Sequence, residues 1–182
     1  MTNNKITELL AKYVEGKDLD RYKILEEIYC QTATVSFEII ADNIHFPSEI
    51  YGNVEIAKIL SAEFNKKYDF IRTYYLSSHF PDIDSLLISQ QNWLVIMRDQ
   101  TSGNIRIGTG YYNWEFESKK RTEYKIKHHK IFIYTMLELP GESLGLLHDL
   151  QRKFTYPWIE KEVVVQSLEP LDDFKTITNY LK

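Results

Sequence analysis

Apolar residues recur every three to four positions at the start of the chain and every second position through its middle. Ile6, Leu9, Leu10, Tyr13 and Val14 share one face of a helix predicted to end near Gly16. Asp18 or Asp20 offers an N-cap for a second helix, with Tyr22, Leu25 and Tyr29 on its buried side. The period then changes: Val35, Phe37 and Ile39 alternate within Ala33–Ile40, a strand. Asn53, just after Gly52, can cap a third helix carrying Ile56, Leu60 and Phe64.

From Arg72 onward a period of two predicts four strands: Arg72–Phe80, Leu86–Arg98, Ile105–Glu117 and Tyr124–Leu137. Pro81–Asp84, Asp99–Asn104 and the charged tip Ser118–Glu123 join them as turns. Strands of about a dozen residues exceed the usual ~5–6 and must coil, and Gly108 and Gly110 stand where a strong bend needs them. After Pro140, Leu144, Leu147, Leu150 and Phe154 form a helical stripe. Tyr156-Pro157-Trp158 interrupts it, and a last helix from about Pro170 buries Leu171, Phe174, Ile177 and Leu181.

Helices gathered at the two ends of an antiparallel run define an α+β chain. We expect a single domain over residues 1–182: a core at 4–138 and a helical C-terminal extension at 139–182. In that core a strongly bent, mainly antiparallel sheet packs on three N-terminal helices. Leu94–Met97 and Ile131–Tyr134 are apolar on both parities, whereas a half-exposed sheet shows one polar face. Something must cover the second face. We expect a homodimer there, with the helical extension as the other way to cover it.

Composition narrows the function classes. The net charge is -4 and the densest basic run, Lys119-Lys120-Arg121, falls in a hairpin tip, so the electrostatic footprint of a nucleic-acid partner is missing. The first residues hold no apolar signal core, and no stretch is long and apolar enough to span a bilayer, which points to a cytoplasmic protein with no membrane partner. One cysteine, Cys30, excludes an internal disulfide and a cysteine metal cluster, and the five His lack ligand spacing, so no metal or cofactor is expected. Gly108-Thr109-Gly110 lacks the rest of a dinucleotide fingerprint. Gly141-Glu-Ser143-Leu-Gly145 fits a nucleophile elbow in letters only. The elbow needs a parallel sheet and a later acid and His, and only His148 follows; Ser143 reads better as an N-cap. Aromatic residues make up 14% of the chain and thirteen of them are Tyr, rings with polar tips that suit a pocket.

Several segments, in order, resemble the nuclear-transport-factor-2-like superfamily, which includes ketosteroid isomerases, scytalone dehydratase and SnoaL-like cyclases. They are Tyr13–Asp20, Ile28–Phe37, Tyr51-Gly52 before the third helix, Phe70–Tyr75, Gly108–Phe116 and Tyr124–His128. The resemblance spans roughly residues 4–138 and implies a cone-shaped half-barrel whose concave face lines an apolar pocket. It implies in turn a protein that binds a small apolar or aromatic molecule, or an isomerase, cyclase or dehydratase acting on a hydrophobic carbonyl compound. The rival is a protein–protein module with a filled cavity. Tyr75 stands where many relatives place a His, which removes the usual imidazole base.

On that fold, Tyr13, Tyr29, Tyr75, Arg98, Tyr112, Trp114 and His128 are candidates for the concave side. Tyr112 and Trp114 are preferred inward because the opposite parity would bury Glu115. Tyr75 and Tyr13 would donate to a developing oxyanion. His128 would be the base, although a bulge would exchange it for His129. His79, four residues after Tyr75 on the same face, is the alternative base. Tyr112 and Trp114 would form the apolar wall.

Overall fold

A computed structural model describes residues 2–77, 86–120 and 123–182. The expected strand Arg72–Phe80 and turn Pro81–Asp84 therefore fall partly, and His79 entirely, outside the described residues.

The first helix, α1 (Thr2–Asp18), runs past Gly16 to Asp18. Neither acid caps the second helix. Asp18 turns inward, Asp20 takes a left-handed backbone (φ 52°), and Arg21 precedes α2 (Tyr22–Ile28) without a side-chain cap. Tyr29 leaves the predicted helix and opens β1 (Tyr29–Ile39). A three-residue edge strand, β2 (Glu49–Tyr51), and Gly52 (φ 81°) lead into α3 (Asn53–Ala57). Asn53 does not cap α3; its amide donates to the Glu26 carbonyl at 2.8 Å and ties α3 to α2. A π-helical turn (Lys58–Glu63) and α4 (Phe64–Lys67) continue the same rod.

Four long strands come next: β3 (Tyr68–Leu76), β4 (Leu87–Asp99), β5 (Ile105–Lys120) and β6 (Glu123–Leu139). The tail contributes a 3-10 turn (Gly141–Ser143), α5 (Leu144–Lys153), β7 (Trp158–Ile159), α6 (Lys161–Leu168) and α7 (Lys175–Leu181). Sequence periodicity missed β7 and α6, and it placed the start of the last helix five residues early. Ser143 precedes α5 but makes no capping bond through its side chain.

The strands form one sheet in the order β2-β1-β6-β5-β4-β3-β7. The pairs β1·β6 and β3·β7 are parallel and the rest antiparallel. Its bends lie at register shifts. Phe70 (φ 49°) and Gln90 (φ 54°) sit at two of them, in a backbone region that costs a non-glycine residue energy and needs surrounding structure to hold it. A third shift lies at Thr109/Gly110. There a Cβ on Gly110 would sit 1.9 Å from the Phe132 carbonyl oxygen, so only glycine lets β5 and β6 approach this closely.

The sheet buries apolar residues on both faces. The inner face packs Val35, Trp93, Tyr112, Trp114 and Ile131 against Ile6, Leu10 and Tyr13 of α1 and Ile56 and Leu60 behind them. The outer face packs Tyr74, Leu94, Ile96, Ile105 and Ile107 against Leu147, Phe154, Val164, Phe174 and Ile177 of the tail. Leu94 and Ile96, half of the motive for expecting a dimer, are thus covered by the chain's own extension.

Gly110→Ala is expected to destabilise by about 1–3 kcal/mol, because the clash is with backbone that cannot move aside. Gly145→Ala, on α5 with nothing near its Cβ, should be neutral or stabilise by up to ~1 kcal/mol. Urea unfolding of both variants checks the pair; equal midpoints would refute the assigned close approach.

Candidate functional site

The inner space of the cone divides into a packed cluster of rings and a small cavity beside it. The cluster is centred on an imidazole that alternation alone misplaces. Lys127 is an extra residue on β6: Glu115 pairs with His128, but the next residue, Phe116, pairs with Ile126. That bulge shifts the alternation by one. His129 enters the core at 1% exposure, while His128 lies on the outer face, with Nδ1 2.5 Å from Thr34 Oγ1 and Nε2 3.9 Å from Glu115. The expected placement of His128 on the concave side is corrected accordingly.

His129 Nδ1 lies 2.7 Å from the Tyr29 hydroxyl, and its ring stacks on Trp114 with centroids 3.7 Å apart. Tyr13 meets Trp114, His129 and Tyr112 edge-on at 5.0, 5.1 and 5.7 Å. Edge-to-face contacts of this kind add to area burial. Burial drives the His129 pKa well below its ordinary value, and burial likewise raises the Tyr29, Tyr112 and Tyr13 hydroxyls, so the cluster is neutral. His129 Nε2 and Trp114 Nε1 are buried without a hydrogen-bond partner.

Tyr75 is inside as expected, but its hydroxyl donates to the Leu10 carbonyl at 2.9 Å and its ring stacks on Trp158 at 4.5 Å. It does not wall the cavity. Arg98 is on the other face: it shares parity with Leu94 and Ile96, grips Asp69 through Nε at 2.8 Å and Nη2 at 2.5 Å, and covers the Phe70 ring. Its placement on the concave side is therefore corrected as well.

The cavity is about 40 Å³. At ~10–15 Å³ per water that is room for about three, far less than a polycyclic ligand needs. Tyr13 and Lys17 of α1, Phe64 of α4, Trp93 of β4 and Tyr112 of β5 wall it, together with Met97 and Met136. Tyr13 Oη and Trp93 Nε1 have no hydrogen-bond partner. The Tyr112 hydroxyl is close enough to act on the ionisation of Tyr13 as a hydrogen-bonding neighbour, but no bond of good geometry joins the two.

Lys17 is buried beside the cavity, with Nζ 2.7 Å from Asp18 Oδ1 and 4.7 Å from the centre of the Phe64 ring. Asp18 also accepts from the Thr73 amide at 2.6 Å, Thr73 Oγ1 at 2.9 Å and Tyr156 Oη at 3.2 Å. Sequence reasoning missed Lys17 and Trp93, and had His129 only as the residue that a bulge would exchange for His128. The signal for Lys17 was present, since it continues the stripe Leu10, Tyr13, Val14 by one turn. Trp93 shares parity with Val95 and Met97. Among the described residues no group of His, Cys, Asp and Glu is arranged to hold a metal ion, and no helix is long and apolar enough to cross a membrane.

No family model matches the chain, and no curated protein matches it by sequence. Solved structures do match it. One is a nuclear-transport-factor-2-like superfamily protein from Salmonella enterica serovar Typhimurium, at 13% identity and TM-score 0.56, covering 71% of this chain and 88% of that one. A hexachlorocyclohexane dehydrochlorinase (LinA) type 2 matches at 14% identity and TM-score 0.59, covering 75% and 87%. A putative scytalone dehydratase from Novosphingobium aromaticivorans matches at 16% and 0.55, covering 72% and 83%. At such identities the likeness establishes the fold, which is the nuclear-transport-factor-2-like cone.

The buried imidazole makes stability depend on acid. Its folded pKa is depressed, so the unfolded chain takes the proton first. Its contribution is complete above the ordinary value of ~6.5 and is lost as pH falls below it, by at most ~1.4 kcal/mol per pH unit. Melting temperatures between pH 7.5 and 5 should fall for the wild type and fall less for His129→Gln. An unchanged acid limb in the variant would place the titration elsewhere.

Proposed function

We propose that this chain, with its nuclear-transport-factor-2-like fold, is a small-molecule-binding protein whose ligand occupies the cavity between Tyr13, Trp93 and Tyr112. One observation carries the reading: two buried donors on the wall, Tyr13 Oη and Trp93 Nε1, lack partners. A buried donor left unmade costs ~1–3 kcal/mol, so two on one small space favour an occupant that accepts from them. The ligand is a molecule of a few atoms with an apolar body and at least one acceptor, not a steroid, given the volume of about 40 Å³.

Isomerase, cyclase or dehydratase chemistry on a carbonyl compound needs a base. Among the described residues the cavity wall carries neither an imidazole nor a carboxylate. Binding without turnover is therefore preferred over the elimination and dehydration chemistry that the names of the dehydrochlorinase and dehydratase neighbours bring to mind. A screen of small apolar and aromatic molecules by thermal shift tests this. A binder should stabilise the wild type and lose about fivefold in affinity in Tyr13→Phe or Trp93→Phe, the worth of one ~1 kcal/mol hydrogen bond. No stabilising compound, or one indifferent to both changes, would retire the site.

A second copy of the chain is the partner we propose, on the part of the outer face that the tail leaves open. Tyr111 and Phe132 stack there at 4.6 Å and stay half-buried, beside the Tyr134–Tyr180 stack that joins sheet to tail. Sedimentation at micromolar concentration should give a dimer that Phe132→Lys dissociates; a wild-type monomer would sink the proposal.

A further inference from the structure

The chemistry of the cavity's head group can be read from which half of an ion pair it meets. Lys17 walls the cavity, and Asp18, its partner, does not. The Asp18 carboxylate faces away, held by the Thr73 amide, Thr73 Oγ1 and Tyr156 Oη as well as by Lys17. Those neutral donors take up much of its charge, so Lys17 is not the only group that satisfies it. An ammonium has three N–H bonds. One goes to Asp18 and the Phe64 ring covers another side, which leaves bonding capacity on a side chain that walls the cavity.

The other unpartnered polar atoms on the wall point to the same chemistry. Tyr13 Oη–H and Trp93 Nε1–H are donors, and no acidic or amide side chain is among the described residues that wall the space. The wall therefore offers one cation and two unpartnered neutral donors, besides the hydroxyls of Thr73 and Tyr112, inside an apolar shell. A ligand that brings donors of its own finds only hydroxyl oxygens to accept them; a ligand with acceptors and a negative charge meets the cation and both unpartnered donors.

Resting on the binding role proposed above, we infer that the ligand is a small aliphatic monocarboxylate, its oxygens on Lys17 Nζ and on the Tyr13 or Trp93 donor. The tail of such an acid is short. The free volume of about 40 Å³ takes a head group and a carbon or two as it stands. Met97 and Met136 are also on the wall, and their unbranched chains can shift to admit a few carbons more.

The probes are propionate, isobutyrate and isovalerate, each against the methyl ketone that replaces one carboxylate oxygen by a methyl group. Affinities are measured by ligand-observed NMR at matched ionic strength, on wild type and on Lys17→Met. The expected result is that at least one acid binds at least tenfold more tightly than its ketone. Lys17→Met should remove that advantage and change ketone binding by less than threefold. Because the single change strands Asp18, Lys17→Met/Asp18→Asn is the companion variant should the first not fold. If neither folds, the wild-type acid-to-ketone ratio decides alone. Ketones bound as tightly as acids, or an acid preference that survives loss of Lys17, would overturn the carboxylate assignment while leaving the cavity a binding site. If neither series binds and no neutral compound of the broader screen does either, the binding role itself falls.

Discussion

One carboxylate holds together three stretches of chain that are far apart in sequence. Taking Asp18 out of water costs several kcal/mol unless its oxygens are bonded, and here four donors reach it: Lys17, Thr73 twice, and Tyr156. They come from the end of α1, the middle of β3 and the tail. The last carbonyls of α1 are satisfied from outside as well, with Ser61 Oγ donating to the Gly16 oxygen at 2.8 Å and Asn65 Nδ2 to the Lys17 oxygen at 2.7 Å. The helix end is therefore built into the fold and does not fray at its surface. That explains why α1 continues past Gly16, where the sequence offers a stop, and why the next residues turn sharply through Asp20.

Around this ionic point the interior is dry and neutral. The His129–Tyr29 pair and the rings of Tyr13, Tyr112 and Trp114 exclude water so thoroughly that neither the imidazole nor the phenols hold charge near neutral pH. A neutral imidazole needs one donor and one acceptor relation, and Tyr29 supplies a single partner. The ring is held mainly by stacking on Trp114, which fixes its plane but leaves Nε2 unmet. A relay of protons through this cluster is disfavoured by the same low dielectric that keeps it neutral, which is consistent with a reading of the cone as a holder of small molecules.

Periodicity made most of this architecture legible, and its failures share a physical origin. The long strands, the inward parity of Tyr112 and Trp114, and the room made at Gly108 and Gly110 all follow from alternation and from residue size. Alternation breaks where a single residue is inserted: Lys127 bulges out of β6 and exchanges His128 for His129. No local feature of Lys125–Lys130 announces that bulge, because it is fixed by the partner strand. Asp18 and Asn53 are good N-caps by type. Tertiary bonds to Thr73 and to the Glu26 carbonyl outbid the helix ends, which are worth only ~1 kcal/mol. Arg98 has the chemistry of a pocket residue, but its parity with Ile96 points outward, and parity decides. β7 is two residues long, below what a period can register, and exists because the β3 edge offers it a ladder.

The tail settles the shape of the space inside. By burying Leu94, Ile96 and Ile107 it gives the sheet a second core, so β4 and β5 are clamped from both sides and the cone cannot open by flattening. At β3 the tail reaches through to the inner core, where Trp158 stacks on Tyr75 and Tyr156 bonds Asp18. One end of the cone is thus closed by stacked rings. Met97 and Met136 are on the cavity wall, and Gly108 gives the latter its room: a Cβ there would meet Met136 Cε at 2.4 Å. Compliance is concentrated where the side chains are unbranched, at Met97 and Met136 on the cavity wall. A rigid sheet with unbranched side chains on its cavity wall can change the shape of that space by rotamer shifts, without any movement of the backbone.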